Sequence, residues 1–477
     1  VKIIDICLFN WKTEFPTVHQ ENQFLKTAKY ANGILSSVDY PLREPPTGLL
    51  ILAAILEERG YSVEIIDCTI LQSPIGFVLD VAHKYRMIGF TALTNTVEQV
   101  LDLAHHIKQK HPEIFMIMGG PHVSFEYENI LPAYPDIDAI CIGEADLTFP
   151  WMLDQLLHKP AIDFVYDGDS DTLPQFANAP GKVVQMFRTL EQSNKLPKGI
   201  AFYTENQVFN TGFPDPVDLA PLPLPARHLI SRVYSVADII INRGCPNECS
   251  FCSRTKLFPT VRLRPLEQIL AEVDFVSSMA NYRFVNFYDN ININHQYFTQ
   301  FLDALIVREF PLPWGAELRA DVLTEEETVK LYQANCKLVA TGVESASPEV
   351  LKRNFKFQNP EKVARGIRRL KKAGIAVQAY FVIGLPGDTE ELFQGTLTYL
   401  EALPLEQGVD HVDFFIITPY PGSDIAMHPE KYGVRILSED FSCFDCREIL
   451  METETLTSEQ MQNMREQAEK LKKRLGF

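Results

Sequence analysis

The chain has 477 residues, 46% of them apolar and 22% charged, with a formal net charge of −18. That length leaves room for two or three domains, each with its own core. The acidic excess argues against a broad nucleic-acid surface, which needs a basic face.

The first 160 residues alternate between β and α patterns. Buried-strand runs fall at 1–9, 62–68, 87–94, 114–120 and 137–143, with helical segments at 48–60, 74–85, 97–109 and 149–158. This predicts an α/β fold that opens with a doubly wound, Rossmann-like parallel sheet, whose ligands bind at the carboxyl ends of the strands. Those ends read TALTNT (91–96), GGPH (119–122) and GEAD (143–146), small residues mixed with hydroxyl and acidic ones. The paired glycines there let the backbone approach a ligand closely. No G-x-G-x-x-G follows the first strand, so a dinucleotide is not expected. Residues 161–235 are turn- and proline-rich around a hairpin at 198–212, and read as a surface linker.

From 236 to 430 a second series begins, with strands at 237–243, 284–290, 314–321, 338–345, 377–384 and 412–418. Helices at 266–280, 296–309, 324–335, 361–373 and 389–402 separate them. Six repeats predict a (β/α)6 partial TIM barrel with its chemistry at the carboxyl rim. The most basic stretch, 364–374, reads as a solvated helix face capped by Gly374. A small C-terminal segment, 431–477, ends in a helix at 457–475. No apolar run reaches the roughly 18 residues that span a bilayer, and the first residues show no leader pattern. Nine cysteines without regular pairing fit a reducing, cytoplasmic setting.

INRGCPNECSFCSR (241–254) follows the first strand of the second series and sets Cys245, Cys249 and Cys252 in a C-x3-C-x2-C frame. Three thiols are too few to close a tetrahedral zinc site. They can ligate three irons of a [4Fe–4S] cluster and leave the fourth open. The loop resembles that of the radical S-adenosylmethionine (SAM) enzymes, with Phe251 at the aromatic position of their motif. The resemblance implies the three cysteines as cluster ligands and continues around the rim. Asp289 and Asn290 in YDN stand where the family holds the SAM amino group. Arg319 suits the SAM carboxylate, which a guanidinium pairs in a fork. Glu344 and Ser345 in GVES stand at the ribose, and Gly384 and Pro421 lie in the adenine-side loops.

Together with PPTGLLILAAILEERG (45–60), GGPH and GEAD, the loop makes residues 1 to about 430 resemble the cobalamin-binding radical SAM enzymes. The resemblance implies that Thr91, Leu93, Thr94, Gly119, Gly120, Pro121, His122, Gly143, Glu144 and Ala145 approach the corrin. The D-x-H-x-x-G motif of other cobalamin proteins is missing and DYPLREPPTG (39–48) has no histidine. Cobalt is therefore expected to take no histidine from that loop, and His122 to lie near the corrin tail.

The implied chemistry is SAM cleavage to a 5′-deoxyadenosyl radical, hydrogen abstraction from an unactivated carbon, and methylation of that carbon from cobalamin. Cyclisation, oxidation or another rearrangement shares this architecture, and the porphyrin-ring cyclase and hopanoid methylase branches both resemble the chain in layout. The implied partners are a small-molecule or natural-product substrate and an external flavodoxin- or ferredoxin-like electron donor. A methylthiotransferase would hold a second cluster on three N-terminal cysteines, but Cys7 and Cys141 fall inside strands. A cobalamin carrier with an inactive barrel would not need the intact cysteine loop, Arg319 or Glu344. Cys68 and Cys336 read as core, and Cys443 and Cys446 as half a metal site at best. The substrate, and the residue that acts on it, are not legible.

Overall fold

The computed structural model describes residues 4–11, 45–70, 74–158, 196–204, 206–230 and 234–477. They form two compact units, one running from 46 to 230 together with the first strand and the other from 231 to 477.

In the first unit the elements are β1 (Ile4–Asn10), α1 (Thr47–Glu58), β2 (Val63–Asp67), α2 (Pro74–Val81), β3 (Tyr85–Thr91), α3 (Val97–Lys110), β4 (Phe115–Gly119), α4 (Val123–Ala133), β5 (Ala139–Cys141), α5 (Thr148–Leu153), β6 (Ile200–Thr204) and β7 (Gln207–Asn210). The sheet order is β2-β1-β3-β4-β5-β6-β7. The first five strands are parallel and β6 and β7 antiparallel. The order reverses direction between β1 and β3, which places the switch-point crevice at the carboxyl ends of those two strands, with β4 next to β3. β1 and β4 are near-continuous buried runs because helices cover both faces.

Two departures from the sequence reading concern this unit. Helix α4 is absent from that reading: its VSFEYENILPA is rich in bulky residues, lacks a clean apolar stripe and has Pro132 in its last turn. The boundary at 160 also falls short. β6 joins the edge of the sheet, Ile200 and Phe202 are buried in its core, and the backbone N–H of Ala226 donates to Leu50 O at 3.0 Å. Residues 196–230 thus belong to the first unit and are not a surface linker.

The second unit comprises β8 (Val236–Ile240), β9 (Asn242–Arg243), α6 (Arg254–Leu257), β10 (Arg262–Leu263), α7 (Leu266–Ser278), β11 (Phe284–Asn290), α8 (His295–Val307), β12 (Trp314–Glu317), α9 (Glu325–Gln333), β13 (Cys336–Glu344), α10 (Pro348–Arg353), α11 (Pro360–Lys372), β14 (Ala376–Ile383), α12 (Glu390–Glu401), β15 (His411–Ile416), α13 (Asp424–Met427), β16 (Val434–Ile436), β17 (Met451–Thr453) and α14 (Ser458–Leu475). Six parallel strands run in the order β15-β14-β13-β12-β11-β8, each next to its neighbour in the series. Among the described residues β8 and β15 do not pair, so the barrel is partial. Capping boxes start α9 (Thr324 with Glu327) and α14 (Thr457 with Gln460). No helix among the described residues is long and apolar enough to cross a membrane.

Candidate functional site

The cysteine loop leaves the carboxyl end of β8 through Gly244. Its φ of +88° and the 2.4 Å from a built Cβ to Thr260 O admit only glycine. Cys245, Cys249 and Cys252 are free and partly accessible. A backbone bond from Cys252 N–H to Cys249 O (3.0 Å) tightens the turn between the last two. Ser250, fully buried, hangs the loop from Asn354: its hydroxyl donates to Asn354 Oδ1 at 2.9 Å and its N–H to Asn354 O at 3.0 Å. Asn354 in turn donates to Pro386 O at 2.9 Å, and Ile425 N–H donates to Ser250 O at 3.0 Å. Phe251 packs on the apolar cluster of Val350, Leu385, Ile417 and Ile425, so the aromatic position anchors the loop to the barrel.

Burial pushes the Cys249 thiol up to about 12 and raises Cys252, with Lys356 pulling both back. Burial would lower the Lys356 pKa, but Glu344, at 2.8 Å, and Cys249 outweigh it and keep the ammonium charged. A fixed cation therefore stands beside thiols that must ionise to bind iron. No three His, Cys, Asp or Glu among the described residues converge on a single-ion centre. Thiolates that each take a different iron of one cluster have no need to. The donor set fits.

Arg319, just beyond β12, is placed differently from the sequence reading. Its Nε and Nη2 fork onto Asp321 at 3.0 and 2.7 Å, Nη2 also reaches Phe357 O at 2.7 Å, and Nη1 donates to Asn247 Oδ1 at 2.7 Å. The fork expected for the SAM carboxylate is closed by Asp321. Of five N–H donors, one at Nη1 remains. Burial opposes the Arg319 charge, and the Asp321 pair more than restores it.

Glu344 has a φ of +61°, in a region that side chains avoid, and Gln358 holds the backbone there by donating to Gly342 O and Val343 O. Ser345 is buried, with its hydroxyl on Thr396 and the N–H of Ser347. It braces the turn rather than facing the rim. Asn290 ends β11 and is half-buried, while the side chain of Asp289 lies outside the described residues. Gly384 packs under Ile417 and Met461, and Pro421 is buried. Lys356, Asn354 and Asn247 escaped the sequence reading. So did Glu317, which is reached by solvent yet surrounded by protein, its carboxyl raised by burial and pulled back by Arg254 and Lys356. A cavity of about 890 Å³ between β15 and α14, lined by Phe415, Arg447, Arg465 and Lys472 among others, touches none of these rim residues.

In the loop that follows β14, Asp388 is 1% exposed. Burial lifts its carboxyl to about 7 against the pull of the Thr389 N–H. The folded chain thus holds this proton to higher pH than the unfolded chain. Its stabilising contribution is full below pH ~4 and is lost as pH rises through about 7. Asp388→Asn is expected to flatten that loss, by at most about 4 kcal/mol. Tm of wild type and variant at pH 5 and pH 8 checks this, and an equal difference at both would contradict it.

On the first unit, Ala92 N–H donates to Gly119 O at 3.0 Å, so the β3 and β4 loops lie side by side. Leu93 projects into solvent (48% exposed), while Thr91 closes β3 and Thr94 is buried in the turn that opens α3. A Cβ on Gly119 would meet nothing nearer than Cys141 Cβ at 3.8 Å. This bare backbone and exposed leucine fit the face of a planar macrocycle. The structure separates the paired glycines. Gly120 has φ +109° and would drive a Cβ within 2.8 Å of Ala92 O, so glycine there serves the fold. Pro121 is half-buried; His122 is buried and held neutral, burial lowering it to about 4. Ser124 ties the loops together, donating to Gly120 O at 2.8 Å and accepting from Gly143 N–H at 2.9 Å. GEAD, expected to approach the corrin, is instead covered by protein. Phe213 and Pro214 cover Gly143, and Glu144 accepts from Val217 N–H at 2.9 Å. Ala145 packs on the core. Residues 39–44 lie outside the described residues, and with them most of DYPLREPPTG.

Gly119→Val is therefore expected to lower cobalamin occupancy with Tm unchanged. Gly120→Val should cost about 1–3 kcal/mol of stability whether or not cobalamin is present. Cobalamin stoichiometry and thermal unfolding of both variants separate the effects. Full occupancy in Gly119→Val would move the corrin elsewhere.

Three thiols on one loop at the carboxyl rim of a partial barrel meet the needs of a cluster with one open iron, and with that the second unit falls into the radical SAM class. Residues 239–400 match the radical SAM superfamily, and residues 37–152 match the B12 binding domain. The chain belongs to the cobalamin-binding radical SAM enzymes, whose cofactors are a [4Fe–4S] cluster, SAM and cobalamin. An uncharacterized methyltransferase of Pyrococcus horikoshii is 24% identical, over 88% of this chain and 86% of its own. The anaerobic magnesium-protoporphyrin IX monomethyl ester cyclase of Rubrivivax gelatinosus is 26% identical, over 84% of this chain and 68% of its own. Among solved structures, the radical SAM methyltransferase TsrM of Kitasatospora setae, with cobalamin and a [4Fe–4S] cluster bound, superposes with a TM-score of 0.66 at 15% identity. It covers 92% of this chain and 78% of its own, a likeness of fold.

Proposed function

We propose that the chain methylates an unactivated carbon of a small molecule. The observation that carries this reading is the joining, in one chain, of a three-thiol rim loop to a parallel sheet that presents bare backbone at the carboxyl end of β4. The Pyrococcus relative, which aligns over most of both chains and is called a methyltransferase, supports methyl transfer over cyclisation. When bound, the cluster and SAM supply a 5′-deoxyadenosyl radical and cobalamin supplies the methyl group. Cys245, Cys249 and Cys252 hold three irons, and Ser250, Phe251 and Asn354 keep the loop rigid. Lys356 and Arg319 offset the thiolate charge. In this reading Asn290, Glu344 and the remaining Nη1 proton of Arg319 receive SAM. The electron comes from an external flavodoxin- or ferredoxin-like donor in a reducing cytoplasm, a setting that suits nine free thiols.

The test is anaerobic incubation of the reconstituted holoprotein with methyl-labelled SAM, dithionite and a small-molecule extract, read by mass spectrometry. A labelled product together with 5′-deoxyadenosine is expected. Formation of 5′-deoxyadenosine with an unlabelled cyclised or oxidised product would replace methyl transfer by the cyclase reading.

A further inference from the structure

The second residue after Cys245 occupies an unusual position between a charge and a sulfur. The Asn247 carboxamide accepts from Arg319 Nη1 at 2.7 Å through Oδ1, and its Nδ2 donates to Cys245 Sγ at 3.4 Å. The orientation is forced. A guanidinium has only donors, so it must face the amide oxygen, and the NH2 group then has to face the sulfur. Arg319 cannot yield, because Asp321 forks its side chain. Asn292, 1% exposed, clamps its backbone through bonds of 3.0 Å to both N–H and C=O. The line from Asp321 through Arg319 and Asn247 to Cys245 is polarised throughout, and each bond strengthens the next.

We propose that Asn247 is a positioning residue that raises the reduction potential of the cluster, by donating an N–H···S bond to Cys245 in an orientation that Arg319 enforces. The proposal rests on Cys245 being a cluster ligand. Adding one electron to a cluster increases the charge on its sulfurs. A donor aimed at one sulfur therefore stabilises the reduced form more than the oxidised form, and hydrogen bonds to sulfur are among the factors that set cluster potentials. Arg319 thereby acts on the metal without touching it.

The test is a one-electron redox titration of the reconstituted holoprotein without SAM, followed by electron paramagnetic resonance of the reduced cluster. Asn247→Asp keeps the shape and the Arg319 contact but replaces the donor by a second carboxylate oxygen. Its potential is expected to shift furthest in the negative direction, with Asn247→Ala between it and wild type. Resonance Raman should show the iron–thiolate stretch moving up in both. Asn247→Ser, too short to reach the sulfur, is expected to shift in the same direction and serves if another variant assembles poorly. A merely structural role would lower iron content while the clusters that form titrate as in wild type. Wild-type potentials in variants with normal iron content would overturn the proposal. Failure of the wild-type chain to hold a cluster would instead overturn the ligand assignment beneath it.

Discussion

Replacing Cys245, Cys249 or Cys252 by Ala is expected to abolish SAM cleavage and nearly all iron–sulfur absorbance, while cobalamin binding persists. As ligands, each thiolate would take one iron, and the other six cysteines are engaged elsewhere, Cys443 with its sulfur 3.7 Å from Asp440 Oδ2. Cys7, Cys68, Cys141 and Cys336 are buried in cores. Cys446 is held elsewhere, its carbonyl accepting from Ile416 N–H and its sulfur 3.3 Å from the Tyr420 hydroxyl. With two ligands left, two irons would lack protein donors, and the cluster should be lost on desalting. Cobalamin should stay because its platform belongs to the first unit, whose core uses no residue of the loop. Iron, sulfide and cobalamin stoichiometry with a 5′-deoxyadenosine assay checks all three variants. A triple variant that still cleaves SAM would remove the basis of the assignment.

Asn354→Ala is expected to be nearly as damaging to the holoprotein, although the residue never touches iron. The side chain is fully buried and holds the Ser250 hydroxyl and Pro386 O in place. Truncation strands both inside the protein, at about 1–3 kcal/mol each, or roughly 3 kcal/mol in total. The strain falls on the cysteine loop and the 382–391 loop at once, so iron content should drop together with the urea midpoint. Asn354→Asp keeps the acceptor for Ser250 and should retain more iron than Ala. Equal iron in wild type and Asn354→Ala would show that the loop is fixed by other means.

The contrast between these residues explains what the sequence makes legible. Cluster ligands must be thiols on one short loop, so their chemistry is written in local spacing. The parallel strands are legible because burial on both faces makes them apolar runs, as in Phe115–Gly119. Asn354 and Ser250 lie 104 positions apart, and Arg319 and Asn247 lie 72 apart. Single polar side chains paired over such separations leave no periodic signal. Arg319 was recognisable as a cation on the rim, but not as one already engaged by Asp321. The hairpin of β16 and β17 has three residues in each strand, too few for an alternating pattern to show.

The antiparallel hairpin on the first sheet bears on how this protein can be divided. A fragment ending at residue 160 would keep every strand of the parallel sheet and look complete. It would nevertheless expose the edge of β5, whose hydrogen bonds otherwise go to β6. It would also empty the places of Ile200 and Phe202, each worth roughly 2 kcal/mol of burial. A bare apolar edge of this kind templates pairing between chains, so such a fragment should precipitate or form chain-to-chain sheets. A cut after Ile230 retains the edge strand and the Leu50 contact of Ala226. The severable corrin module thus extends about seventy residues beyond a cut at 160, and residues 196–230, which look like a tether, are its protective hem.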